Sequence, residues 1–176
     1  MTSVVVLNGP NLNLLGTREP EVYGTTTLAE VEEMCRAEAD RRGLDLAFRQ
    51  SNHEGQLIDW IQEAGAEVRA GRSIGAVLNP GGYSHTSVAL RDAIEGADLP
   101  VVECHISNVH RREEFRHHSY VSPVARGIVV GFGVHGYLLA LDGLHRLSGT
   151  GSAVTTAVRR ETSTASAQVA HPGEQQ

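Results

Sequence analysis

Three short segments concentrate the side chains that could bind and transform a small polar molecule. The first, Asn8–Thr25, is polar and rich in Gly, Pro and Asn, and it carries Asn11, Arg18 and Tyr23, each able to hold an oxygen-rich ligand. The second is Asn79-Pro80-Gly81-Gly82, with His85 close behind. The third holds His105, Ile106, Ser107, Arg112 and Arg116, with Glu103 two residues before His105. An imidazole titrates at about 6.5, which suits a general acid at neutral pH. On one strand, Glu103 and His105 would face the same side, so the carboxylate could orient the ring and favour its charged form. A loop as long as Asn8–Thr25 inside a compact domain is usually a binding loop or a lid.

Composition removes several rival chemistries. All 15 basic residues among the 176 are Arg. With no Lys there is no protein Schiff base, no lysine-anchored PLP and no Walker A lysine. A net charge of −6 argues against nucleic acid as a partner. Cys35 and Cys104 lie in apolar stretches and read as buried thiols rather than a bridge. His105 and His110 are five apart and His117 and His118 adjacent, and neither is a metal-ligand spacing, so no metal is expected. Gly131–Gly136 (GFGVHG) matches a dinucleotide fingerprint, but no strand with an acid follows its helix. Close packing of that helix on a sheet explains the glycines better. The N-terminus, MTSVVVLNGP, has no basic leader region, and no apolar run approaches the ~18–20 residues of a membrane span. The expectation is a cytoplasmic protein.

The elements that must position these residues alternate between two periods. Ser3–Leu7, Leu44–Arg49, Ile74–Leu78, Pro100–Cys104 and Ile128–Gly131 read as strands, most of them too apolar to face water. Thr27 with Glu30, and Ser51 with Glu54, match capping boxes. The helices they open carry Leu28, Val31, Cys35 and Ala39 as far as Arg42, where Gly43 stops the first, and Leu57, Ile58, Ile61 and Ala64. Thr86 or Ser87 opens a third helix, with Val88, Leu90, Ala93 and Ile94 toward the sheet and Arg91, Asp92 and Glu95 outward. Val134–Leu147 is the last. Five strand–helix units predict an α/β domain: a flavodoxin-like three-layer sandwich with a five-stranded parallel sheet. Ligands bind such sheets beyond the carboxyl ends of the strands. No acidic cluster follows Leu7-Asn8-Gly9 or Leu78-Asn79-Pro80, which disfavours a phosphoryl receiver; an FMN binder would purify yellow. From Gly149 the chain is small, polar and aperiodic, which predicts a domain at 1–148 and a disordered tail at 149–176.

Five blocks, taken together and in order, resemble the type II 3-dehydroquinate dehydratases. They are LNGPNLNLLGTREPEVYG (7–24), RQSNHEGQLIDWI (49–61), LNPGGYSHTSVALRDAI (78–94), VVECHISNVHRREEFRHHSY (101–120) and GFGVHGYLLAL (131–141). The resemblance implies dehydration of 3-dehydroquinate to 3-dehydroshikimate through an enolate, without cofactor. It implies Tyr23 as base, with Arg18 (also the lid arginine) and Arg112 lowering its pKa. Asn11 would stabilise the enolate oxygen, and His105 would protonate the leaving hydroxyl, supported by Glu103. Ile106 and Ser107 would hold the substrate carboxylate, with the strand meeting a helix start there as a ready anion site. Asn79, His85 and Arg116 would bind carboxylate and ring hydroxyls, while Gly81 and Gly82 let the backbone approach. The resemblance further implies a homododecamer built from trimers, in which Asp92 reaches a neighbour's site.

Overall fold

The apolar run at the N-terminus alternates its side chains across a sheet. In β1 (Thr2–Asn8), Val4 and Val6 enter one core, while Val5 and Leu7 enter the other. A strand buried on both faces must be covered twice, and it is. The computed structural model describes residues 1–17 and 25–149. Within them lie α1 (Leu28–Arg41), β2 (Leu44–Gln50), α2 (Glu54–Arg69) and β3 (Ser73–Asn79). There follow α3 (Val88–Ala97), β4 (Val101–His105), β5 (Gly127–Val130) and α4 (Gly136–Leu147). All neighbouring strands pair in parallel, in the order β2-β1-β3-β4-β5. This is the flavodoxin-like order, whose reversal point lies between β1 and β3.

Helices α1 and α4 cover one face with Val31, Cys35, Ala39, Ala140, Leu141 and Leu144. Helices α2 and α3 cover the other with Leu57, Ile61, Leu90 and Ile94. Each fully buried Leu or Ile is worth about 1.5–3 kcal/mol of transfer free energy. Among the described residues no helix is long and apolar enough to cross a membrane.

Local signals set the helix ends with one exception. Thr27 Oγ1 accepts from Glu30 N–H while Glu30 Oε2 accepts from Thr27 N–H at 2.7 Å, the reciprocal box. Gly43 follows the helix in the left-handed region, with φ 67°. Ser87 caps α3 by accepting from Leu90 N–H at 2.9 Å. The second box does not form. Helix α2 starts two residues late, with His53 at its N-cap, because Ser51 Oγ is taken by the His53 N–H two residues on, at 3.0 Å. Val88 is half-exposed rather than turned to the sheet. It is the first residue of α3, set before the stripe of Leu90, Ala93 and Ile94 begins.

The fourth strand–helix unit is also incomplete. Between β4 and β5 the chain makes three single 3-10 turns, Val109–Arg111, Glu114–Arg116 and Ser122–Val124, and no α-helix. The sequence HRREEFRHH has no apolar stripe to bury, so nothing holds a helix against the sheet. The GFGVHG glycines divide their work. Gly136 packs on the sheet, where a Cβ would lie 3.4 Å from Cys104 Sγ, but Gly131 (φ 85°) and Gly133 (φ 60°) serve a left-handed turn. The expected tail lies, from Thr150 on, outside the described residues.

Candidate active site

Two proline turns interlock at the carboxyl ends of β1 and β3. Gly9 N–H donates to the Asn79 carbonyl at 2.8 Å, and a Cβ on Gly9 would sit 2.4 Å from the Pro80 carbonyl oxygen. Gly81 adopts φ 57°, with Pro10 O 3.0 Å from where its Cβ would be. Gly81 is therefore required by close approach and by backbone conformation alike. Gly82 is not: no atom lies within 4 Å of its Cβ position, and it lines open cleft instead. Beyond this knot Asn11 is held at φ 67°, an uncommon conformation for a side-chain-bearing residue, which Asn tolerates best. Its N–H donates to Asn52 Oδ1 at 2.9 Å.

Beneath the two turns runs a line of buried amides. Asn79 Nδ2 donates to Tyr137 Oη at 2.8 Å, and Tyr137 Oη donates to Asn8 Oδ1 at 2.7 Å. The first residue belongs to β3, the second to α4 and the third to β1.

At the end of β4, Glu103 is wholly buried and yet fully solvated by protein. Its Oε1 accepts from His105 Nε2 at 2.8 Å and from Ser119 Oγ at 2.7 Å, and its Oε2 accepts from Ser122 Oγ. Burial alone would push this carboxyl up. The donated hydrogen bonds and the His105 ring outweigh it and hold the carboxyl below its ordinary value. An ionised Glu103 fixes the hydrogen of His105 on Nε2 and leaves Nδ1 as the other reactive nitrogen. His85 closes the 3-10 turn Gly81–His85 and places Nδ1 2.8 Å from the His118 carbonyl, so Nδ1 carries its hydrogen. Burial, and then the positive fields of His105 and Arg116, hold His85 below its ordinary pKa, against the His118 carbonyl and Glu103.

These loops enclose a cleft of about 230 Å³, suited to a single-ring ligand. Asn11, Asn79, Gly81, Gly82, His85, His105, Ile106, Ser107, Arg112 and Arg116 all line it. Glu103 sits behind His105 and does not. The two arginines are joined through Glu113, whose Oε2 lies 2.9 Å from Arg116 Nε and 3.4 Å from Arg112 Nε. Arg116 also lies over the Phe115 ring, 4.8 Å from its centre. Ile106 and Ser107 lead into a single 3-10 turn rather than an α-helix, so their amides have no helix dipole behind them. Asp92 is exposed on the outer side of α3, beside Gln62, Arg69 and Gly96, away from this cleft. Arg18 and Tyr23 lie outside the described residues. Among the described residues no three His, Cys, Asp or Glu side chains are grouped as a metal site requires.

Sequence reasoning did not find Asn8, Tyr137, Ser119, Ser122 or Glu113. Asn8 carried one usable sign, a polar residue at the mouth of an otherwise apolar strand. Tyr137 sits in the apolar stripe of α4, and the serines act across 16 and 19 residues, where no spacing rule reaches.

The family described as Dehydroquinase class II matches residues 2–145. A 3-dehydroquinate dehydratase of Variovorax paradoxus (strain S110) is 65% identical over 144 residues, covering 82% of this chain and 99% of its own. The 3-dehydroquinate dehydratase 2 of Pseudomonas aeruginosa is 61% identical over 140 residues, covering 80% and 91%. The crystal structure of type II dehydroquinase from Butyrivibrio crossotus DSM 2876 is similar with a TM-score of 0.78 at 43% identity, covering 82% of this chain and 97% of that one. With the family matched over residues 2–145, relatives above 60% identical and a solved structure of the group sharing its fold, this chain belongs to the class II dehydroquinases.

Proposed function

We infer that the chain dehydrates 3-dehydroquinate to 3-dehydroshikimate. The observation that carries this is the buried Glu103–His105 pair opening onto a small cleft flanked by Arg112 and Arg116 in a chain of this family. In our reading Tyr23, as phenolate, removes the proton α to the ketone. The bond's electrons move onto the carbonyl oxygen, and Asn11 stabilises the enolate through a water. Collapse of the enolate restores the carbonyl and breaks the C–O bond to the β-hydroxyl. His105 gives that oxygen its proton, and it leaves as water.

The acid role for His105 is supported by its placement: Glu103 Oε1 holds Nε2 at 2.8 Å while the ring lines the cleft. Arg18 and Arg112 would make Tyr23 a stronger acid, hence a phenolate at neutral pH. The Arg18 loop would close over the substrate and exclude water. Asn79, His85, Ile106, Ser107 and Arg116 would hold the carboxylate and ring hydroxyls. The lysine-free sequence leaves no side-chain amine for an imine, consistent with the enolate route.

The assembly we propose is a homododecamer, a tetramer of trimers. Asp92 lies off its own cleft, so only a second copy could bring it to one. Val88, Phe115, Ile128 and Phe132, each at least half-exposed, offer apolar surface for such contacts. The test of the activity is to mix the protein with 3-dehydroquinate and follow the ultraviolet absorbance of the conjugated enone. No absorbance change at high enzyme concentration would refute it.

A further inference from the structure

Asn8 and Tyr137 take no part in the chemistry above, yet both are fully buried, and they reach the cleft only through Asn79. The line they form is anchored on backbone at both ends. Gly81 N–H donates to Asn79 Oδ1 at 3.2 Å, and Asn8 Nδ2 donates to the Arg49 carbonyl at 3.1 Å. These anchors fix the direction of every bond between them. Turning the Asn79 amide over would set its NH2 against the Gly81 N–H, donor against donor. Turning Asn8 over would set its oxygen against the Arg49 carbonyl, acceptor against acceptor. Tyr137 has one proton and spends it on Asn8 Oδ1, so toward Asn79 its oxygen can only accept. Burial drives the phenol well above its ordinary pKa, so it keeps that proton throughout the working range.

Asn79 lines the cleft, and its remaining polar hydrogen is the second N–H of Nδ2. We propose that Tyr137 is a positioning residue for the dehydration, locking Asn79 so that it offers the substrate a hydrogen-bond donor and selects an oxygen acceptor at that point. This deepens the reading above and rests on it. With the phenol oxygen gone, Asn79 Nδ2 loses its partner and Asn8 Oδ1 is left unmet in a sealed site. The Gly81 N–H still holds the amide oxygen, but the NH2 end is no longer tied and its donor is no longer aimed at one point of the cleft.

The experiment is a double-mutant cycle on KM and kcat. Tyr137→Phe keeps the ring and removes only the hydroxyl. Expected is a rise in KM of about tenfold, the size of one lost buried hydrogen bond, with kcat within about threefold of wild type. In an Asn79→Ala background the same change adds no further rise, because the residue it acts through is absent. An unchanged KM in Tyr137→Phe overturns the proposal. So does an equal rise in both backgrounds, which would mark a purely structural role. If Tyr137→Phe does not fold, Asn8→Ala, which frees the phenol to turn its proton toward Asn79, enters the same cycle with the same two outcomes. Wild-type enzyme run alongside separates the failures. An inactive wild type refutes the dehydration, and an active one beside a normal Tyr137→Phe refutes only the positioning role.

Discussion

Replacing Glu103 by Gln keeps the volume of the side chain and removes its charge. The amide oxygen can still accept from His105 Nε2, and the Ser122 hydroxyl can reverse to accept from the new NH2, so the local packing survives. What is lost is an anion 2.8 Å from the imidazole, in a pair largely sealed from water. At an effective dielectric of about 20, Coulomb's law gives about 6 kcal/mol at that distance before desolvation is subtracted. A hydrogen bond to a charged group is worth about 1.5–3 kcal/mol net, which is the better guide. Losing it beside the proposed proton donor should lower kcat by about 10–100-fold. KM should stay within about threefold, since Glu103 does not line the cleft. The assay is steady-state enone formation from mildly acidic to alkaline pH. Exchange of the α-proton with solvent deuterium should be slowed less than net dehydration, because the acid acts after the enolate forms. A profile superimposable on wild type would refute the role of this pair.

Tyr23→Phe should retain substrate binding and lose about 10²–10⁴ in kcat, the usual worth of a general base; near-normal turnover would remove Tyr23 from that role. Ser122→Ala removes a hydroxyl bonded to the buried Glu103 carboxylate and should cost about 1.5–3 kcal/mol at neutral pH. Glu103 is held below its ordinary value of 4.5, so its stabilising share is fully present above that value and fades as pH falls through the lower folded one. The deficit of Ser122→Ala, read by urea unfolding, should therefore shrink in acid, and an equal deficit at both pH values would contradict the assignment. Asp92→Ala should weaken substrate binding while the subunit stays folded. Light scattering should give a mass near twelve chains; a fully active monomer at assay concentration would defeat the assembly.

The sheet was legible because its signals are local. Val4–Leu7 and Ile74–Leu78 are continuous apolar runs, and Thr27 and Ser87 stand three residues ahead of the amides they cap. The cleft was legible in outline, because loops after parallel strands converge wherever those strands lie side by side. The failures came where a residue had more than one partner within reach. Ser51 could bond the N–H two or three residues on, and the nearer one won. Asp92 could be read outward from its helix face, but no pattern says what that face meets. The anchors of Glu103 and Asn79 were invisible for a plainer reason. A hydroxyl that bonds a residue 16, 19 or 58 positions away leaves no period in the sequence.

The segment between β4 and β5 has no helix to keep buried, and that bears on how such an enzyme can diverge. It hangs from His105 at one end. At the other it is tied by the Tyr120 N–H to the Ser84 carbonyl, by buried Val121, and by Ser119 and Ser122 on Glu103. From Asn108 to His118 its side chains are half-buried or exposed. Substitutions, insertions or charge reversals there meet little resistance from the sheet, so ligand preference can drift without a stability toll on the core. Two of the ties that remain, Ser119 and Ser122, hold Glu103, so a descendant that rewrites these turns inherits the Glu103–His105 geometry unaltered. Selection can explore new substrates in the turns while that buried pair stays where it was.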